Sequence, residues 1–170
     1  MNLLDYIRPI PDYPKPGVTF QDITPLLLNP QAFSICIQQL VERVKPLNFD
    51  KIGIIDARGF IFGAALAYAL QKPFFPLRKA NKLPFTTLKT TYQLEYGNDS
   101  LEMHSDAVAA NDKILIIDDI LATGGTVSAA CDLVQQAGAT VSAIVVILEI
   151  TALNAAKKIN PNRLISLFKI

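Results

Sequence analysis

Tryptophan is missing from this chain, and it carries one histidine and two cysteines. A single histidine, His104, excludes a metal centre built on several imidazoles. It stands in an alternating run, "SLEMH", which is a poor setting for a Ser-His-Asp triad. Cys36 and Cys131 are far apart, have no CxxC or Cys/His companion, and fall in apolar, helix-patterned segments. They read as buried, inert thiols. An excess of one charge is missing too. Sixteen Lys and Arg against fifteen Asp and Glu leave a formal +1 at pH 7, which removes the electrostatic case for nucleic acid or a membrane surface as a partner. No apolar run approaches the ~18–20 residues that cross a bilayer. The opening "MNLLDYIRPIPDYPKPG" is broken by Asp5, Arg8 and prolines where a signal peptide has its apolar core. The expectation is a soluble, cytoplasmic protein in which any basic site is local.

What is present is a core-forming chain. With 51% apolar residues over 170 positions, one domain is the economical reading, residues 1–170. Pro9, Pro11, Pro14, Pro16 and Gly17 predict an ordered, irregular arm over 1–30. A helix follows from Pro30, with Phe33, Ile37, Leu40, Val41 and Val44 at helical spacing. "KIGIID" reads as a short strand, and "GFIFGAALAYALQ", apolar nearly all round, as a well-buried helix. "PFFPL" is a strand candidate weakened by its prolines. After a polar stretch, "YQLEY" and "SLEMH" alternate around Gly97, Asn98 and Asp99, which predicts a hairpin. "KILII", "GTVSAACDLVQQAGA", "TVSAIVVIL" and "NRLISLFKI" then read strand, helix, strand, strand, with Gly138 ending the helix. Strands alternating with helices indicate an α/β fold: a mostly parallel, twisted sheet flanked by helices, with an antiparallel hairpin inserted.

The chemistry concentrates in "ILIIDDILATGGT", 114–126. In open α/β sheets, ligands bind at the carboxyl ends of strands. Asp118 and Asp119 are placed at such an end. Ala122, Thr123, Gly124, Gly125 and Thr126 form the loop into the next helix. Glycines there bare backbone N–H groups at a helix N-terminus, which is a site for a phosphate monoester, and the threonines add hydroxyl donors. Carboxylates beside such a site are acceptors and suit sugar hydroxyls. Strand, acid pair, threonine-flanked glycines and helix together read as a ribose 5-phosphate site. No Gly-Lys-[Ser/Thr] follows the glycines, so this is not a Walker loop.

With these residues the chain resembles the type I phosphoribosyltransferases. "YPKPGVTFQDIT", "DARGFIFG", "RKANKLP" and "YQLEYG" are similar, in the same order, to segments of the members that act on adenine. The resemblance implies transfer of a phosphoribosyl group from 5-phosphoribosyl 1-diphosphate to N9 of adenine, with AMP and diphosphate as products. It implies a diphosphate site at Ala57, Arg58 and Gly59 with Arg78, Lys79 and Lys82, and an Arg78 that reaches a neighbouring subunit's site in a homodimer. It implies a mobile lid and hairpin over 79–104, in which Glu95 handles a proton or orients the purine and Tyr96 packs beside it. The arm would form a small hood in which Phe20 stacks on adenine and the backbone of Thr19 reads its edge, with Leu121 on the other face. Mg²⁺ would be held mainly by the substrate, with no protein metal cage. The family commonly has arginine where this chain has Gln21; Asp22 is kept and could hold the arm in place.

Other readings stay open at this stage. Arg58 alone could be a capping or surface arginine, the cluster at 78–82 a solvated loop, and Glu95 a charge on a hairpin face. The acid pair and glycine loop would serve a xanthine or hypoxanthine/guanine enzyme equally well. A non-catalytic sensor of nucleotides would share the fold, although a DNA-binding regulator would need a basic face that is missing here.

Overall fold

The computed structural model describes every residue except 94–96, 158 and 160–162. Its contacts separate into two compact units, Met1–Glu42 and Arg43–Ile170.

The first unit contains the arm and more regular structure than its prolines suggest. A 3-10 turn, Leu3–Tyr6, precedes strand β1 (Arg8–Ile10), which pairs antiparallel with β2 (Phe20–Asp22). Pro9 fits because a two-stranded sheet leaves each strand an outer edge where no donor is needed. Helix α1 (Thr24–Leu28) starts with Pro25 in its first turn, and α2 (Pro30–Val44) begins at the expected proline. Asp22 does hold the arm. Its Oδ2 accepts from Arg8 Nε at 3.0 Å and Nη2 at 2.5 Å, and its Oδ1 accepts the Thr24 N–H at 2.9 Å. Bonds from Thr24, then from Arg8, lower the Asp22 pKa to about 2.

The second unit is built on a seven-stranded sheet. Its strands are β3 (Lys51–Ile55), β4 (Phe74–Lys79), β5 (Thr87–Gln93), β6 (Asn98–His104), β7 (Lys113–Leu121), β8 (Thr140–Glu149) and β9 (Leu164–Lys169), in the order β5-β6-β4-β3-β7-β8-β9. β4, β3, β7, β8 and β9 run parallel, while β6 is antiparallel to both β4 and β5. The α/β class, the parallel sheet and the hairpin insertion are as expected. Ile114, Leu115, Ile116 and Ile117 are fully buried, as an apolar run in a parallel sheet covered on both faces should be. Helices α3 (Gly59–Leu70) and α4 (Gly125–Gln136) follow β3 and β7. A Cβ on Gly63 would meet Ile54 Cγ2 at 2.5 Å, so only a glycine lets α3 lie this close to the sheet.

Three differences from the sequence reading have physical causes. α3 is buried on one face only: Phe62, Gly63, Leu66 and Ala67 face the core, but Ile61 is 40% and Tyr68 88% exposed. A helix on the outside of a sheet has one side to bury, whatever its composition. β5 starts at Thr87, well before the visible alternation, because Leu88 and Tyr92 pack on the core while polar residues stand between them. β4 tolerates Pro76 because β6 pairs only with Arg78 and Lys79, leaving that edge open at the proline.

Candidate active site

Strand order reverses between β3 and β7: β3 is followed in sequence by its neighbour on one side, and β7 lies on the other. The crevice at the carboxyl ends of these two strands is where an open α/β sheet binds ligands. β7 runs on to Leu121, so Asp118 and Asp119 lie within the strand and not at its tip. Pairing with β3 stops at Ile54 and Ile117, however, while pairing with β8 continues to Leu121 and Glu149. The acids therefore stand where β3 has ended, open on that side.

Two helix N-termini meet this crevice. The turn from β3 into α3 carries Ala57, Arg58 and Gly59, and its Asp56–Ala57 peptide is cis. Gly59 lies so close to β7 that a Cβ there would be 3.1 Å from Asp118 Oδ1 and 3.3 Å from the Ile117 carbonyl oxygen. Arg58 Nε lies 2.7 Å from Asp119 Oδ2. That buried oxygen gets charge from the guanidinium without an aligned hydrogen bond. Asp118 Oδ1 accepts the Asp119 N–H at 2.8 Å. Burial, and then the Asp119 charge, push the Asp118 carboxyl well above the usual carboxylate range, against that bond and the Arg58 charge. The pair therefore resists carrying two negative charges until hydroxyl donors or a developing cation relieve them.

From β7 the chain turns through residues 122–124 into α4. Gly124 caps the helix at φ +85°, a conformation L side chains rarely adopt, and the Ser128 N–H bonds to its carbonyl oxygen at 2.9 Å. The loop and first turn of α4, with Asp118, enclose a cavity of about 80 Å³. The N–H groups of the first helical turn, which have no partner within the helix, and residues Thr123 and Thr126 line this space. Leu121 also borders this cavity, though its side chain is 1% exposed and belongs to the core.

A Phosphoribosyl transferase domain matches residues 28–167. The chain belongs to the phosphoribosyltransferase family. It is 51% identical over 160 residues to an adenine phosphoribosyltransferase of Kosmotoga olearia, with 94% of each chain covered. The crystal structure of adenine phosphoribosyltransferase from Thermoanaerobacter pseudethanolicus superposes with a TM-score of 0.96 at 46% identity, over 99% of this chain and 100% of that one. A Giardia lamblia enzyme of the same name, solved with 9-deazaadenine, gives 0.94 at 34% identity, covering 100% and 98%.

In this phosphoribosyltransferase, Arg78 and Lys79 close β4 and Lys82 follows it. β4 lies beside β3, so its carboxyl end brings Arg78 and Lys79 toward the same crevice. Arg78 Nε is 3.1 Å from Asp56 Oδ2, and its guanidinium stands 5.7 Å from the Phe60 ring centre. Lys79 is held on the hairpin by Tyr92 and Asp99, and Lys82 is exposed on the loop after β4. Thr19 and Phe20 belong to the first unit, where Phe20 meets Tyr13 edge-on with ring centres 5.3 Å apart. Gln21 stands opposite Pro9 on β2. Glu95 and Tyr96 lie outside the described residues.

Sequence reasoning assigned no site role to Asp56, Tyr92 or Asp99, and it put Asp99 in the hairpin turn, whereas Asp99 lies in β6 opposite Tyr92. Asp56 had a visible signal, an acid closing a strand just before "ARG". The other two had none, because their partners are distant in sequence.

Proposed function

We infer that this chain catalyses purine salvage: N9 of adenine attacks C1′ of 5-phosphoribosyl 1-diphosphate, the bond from C1′ to the diphosphate oxygen breaks, and AMP and diphosphate result. The observation that carries the reading is the meeting, at the β3/β7 crevice, of an acid pair, a glycine-capped helix N-terminus and an arginine turn. The 5-phosphate sits on residues 122–126, and the ribose hydroxyls donate to Asp118 and Asp119. The diphosphate lies on the amides of Ala57–Gly59 with Arg58, and takes Arg78, Lys79 and Lys82 as further cations. As the bond to diphosphate lengthens, the ribose becomes cationic and the leaving group anionic. The acid pair stabilises the first and the guanidinium the second, without reorganisation at the moment of reaction. Thr19 and Phe20 take the adenine ring in this proposal, with Glu95 as the proton-handling or orienting group. A closing lid keeps water from competing at C1′.

Mg²⁺ belongs to the proposal as a companion of the substrate. Among the described residues, no group of three or more His, Cys, Asp or Glu could hold a metal. Asp118 and Asp119 fit an ion that prefers oxygen and keeps water and substrate oxygens as ligands. The ion supplies charge neutralisation at the diphosphate. No helix among the described residues is long and apolar enough to cross a membrane, and we place the enzyme in the cytoplasm.

A homodimer is also proposed, supported by α3. Ile61, Ala64 and Tyr68 put an exposed apolar stripe on its outer face, with Phe74, 54% exposed, as a further exposed ring just after it. A second copy of that face is a fitting cover. Tyr68→Glu should then give monomers by analytical ultracentrifugation; an unchanged dimer would reject this face.

The functional test is AMP formation from 5-phosphoribosyl 1-diphosphate and Mg²⁺ with adenine, hypoxanthine, guanine and xanthine offered in parallel. Turnover confined to adenine is expected. Preference for another base would keep the ribose phosphate site and overturn the adenine assignment. Binding without turnover would make the protein a sensor.

A further inference from the structure

Each proposed diphosphate cation with a defined ion pair already has a carboxylate partner, but the partners differ in kind. Arg58 and Arg78 pair with Asp119 and Asp56, both at the ligand end of the sheet. Lys79 pairs instead with Asp99 on the hairpin, and its Nζ also donates to Tyr92 Oη at 2.5 Å. Tyr92 and Asp99 face each other across β5 and β6. The Lys79 ammonium stands 5.2 Å from the Tyr92 ring centre. Asp99 is fixed by its own Oδ1, which accepts the Ser100 N–H at 2.8 Å.

The Tyr92 hydroxyl is the centre of this arrangement. It accepts from Lys79 and, at 3.3 Å, from Thr126 Oγ1 in the first turn of α4, and at 3.3 Å it donates to Asp99 Oδ2. A phenolic hydroxyl has one proton and two acceptor positions, so all three are in use. The Thr126 hydroxyl has one proton as well, and here it goes to Tyr92 and not into the phosphate loop.

Resting on the functional reading above, we propose that Tyr92 and Asp99 are positioning residues that hold Lys79 off the diphosphate in the substrate-free enzyme and couple its release to filling of the phosphate loop. A phosphate in the loop draws the Thr126 proton to itself and takes one bond from Tyr92. That loosens the network just where Lys79 must leave Asp99 for the diphosphate. Burial pulls the Lys79 pKa down, but the bonds to Asp99 and Tyr92 more than reverse this, so the lysine is charged where it stands beside Asp99.

The test measures binding of Mg²⁺ 5-phosphoribosyl 1-diphosphate and of Mg²⁺ diphosphate by calorimetry, alongside steady-state kinetics, in folded variants of matched melting temperature. Asp99→Asn removes the competitor for Lys79, so 5-phosphoribosyl 1-diphosphate should bind about two- to four-fold more tightly, the scale of a partly exposed ion pair. The KM for adenine should stay put. In a Lys79→Met background, the same substitution should change nothing. Ribose 5-phosphate should tighten diphosphate binding in the wild type and fail to do so in Tyr92→Phe. Unchanged affinity in Asp99→Asn, an equal effect without Lys79, or coupling that persists in Tyr92→Phe would each overturn the proposal. A wild type that neither binds the substrate nor makes AMP would instead bring down the functional reading on which it rests.

Discussion

Replacing Gly124 by alanine tests whether the phosphate loop is held by backbone geometry, as its φ of +85° requires. An L side chain in the left-handed region costs roughly 1–2 kcal/mol. Alanine recovers about 0.4–1 kcal/mol by restricting the unfolded chain. The added Cβ would also lie 3.2 Å from Ala155 Cβ, so residue 155 must give by a few tenths of an ångström. Together the net loss is about 1–2 kcal/mol, and since each kcal/mol moves Tm by about 2–4 °C in a domain of this size, a fall of roughly 2–8 °C is expected. Gly17→Ala provides the comparison, because its φ is +82° but nothing lies within 4 Å of a Cβ. It should show the backbone part alone. In kinetics, Gly124→Ala should raise the KM for 5-phosphoribosyl 1-diphosphate about ten-fold or more, since a hydrogen bond to a charged group contributes about 1.5–3 kcal/mol. The KM for adenine should move much less. Differential scanning calorimetry and initial rates suffice. An alanine variant with unchanged Tm and unchanged KM would refute both the strain and the role of the loop.

Asp119→Asn should lower kcat/KM by about ten- to a hundred-fold, because the ribose loses a charged acceptor and Arg58 its partner; normal initial rates would remove Asp119 from the site. Asp118→Asn should raise thermal stability at neutral pH while weakening substrate binding. The Asp118 pKa is raised above 3.8 in the folded chain, so the native state holds this proton more tightly than the unfolded state does. Its contribution therefore falls as pH rises from about 3.8 through the raised value. The Tm gain of Asp118→Asn should be larger at pH 8 than at pH 4, and an equal gain at both would contradict the burial of that charge. Burial pushes the Cys36 thiol up to about 12, and burial with the Asp132 charge pushes Cys131 up to about 11. Neither thiol should react with a disulfide reagent at pH 7.5 until the protein is unfolded, and fast labelling of either in the native enzyme would show an open thiolate.

The sequence by itself determined whatever depends on neighbours along the chain. β7, the loop at 122–124 and α4 are consecutive, so strand propensity, helix capping and the demand for glycine at positive φ all lie within one readable stretch. The acid pair at the end of the β3 pairing and the glycine-led entry into α4 were legible for that reason, as was the alternation of strands and helices that makes a parallel sheet. Arg58 and the cluster at 78–82 were legible only through their likeness to a family. Tertiary structure decided which carboxylate each cation meets. Arg58 reaches Asp119, Arg78 reaches Asp56 and Lys79 reaches Asp99 because strand order sets β4 beside β3, β3 beside β7 and the hairpin beside β4. It also decided that an apolar helix would keep one face outside, and that β5 would begin among polar residues. These outcomes depend on what packs across from each element. That partner comes from a remote part of the chain and leaves no local trace in residue type or spacing.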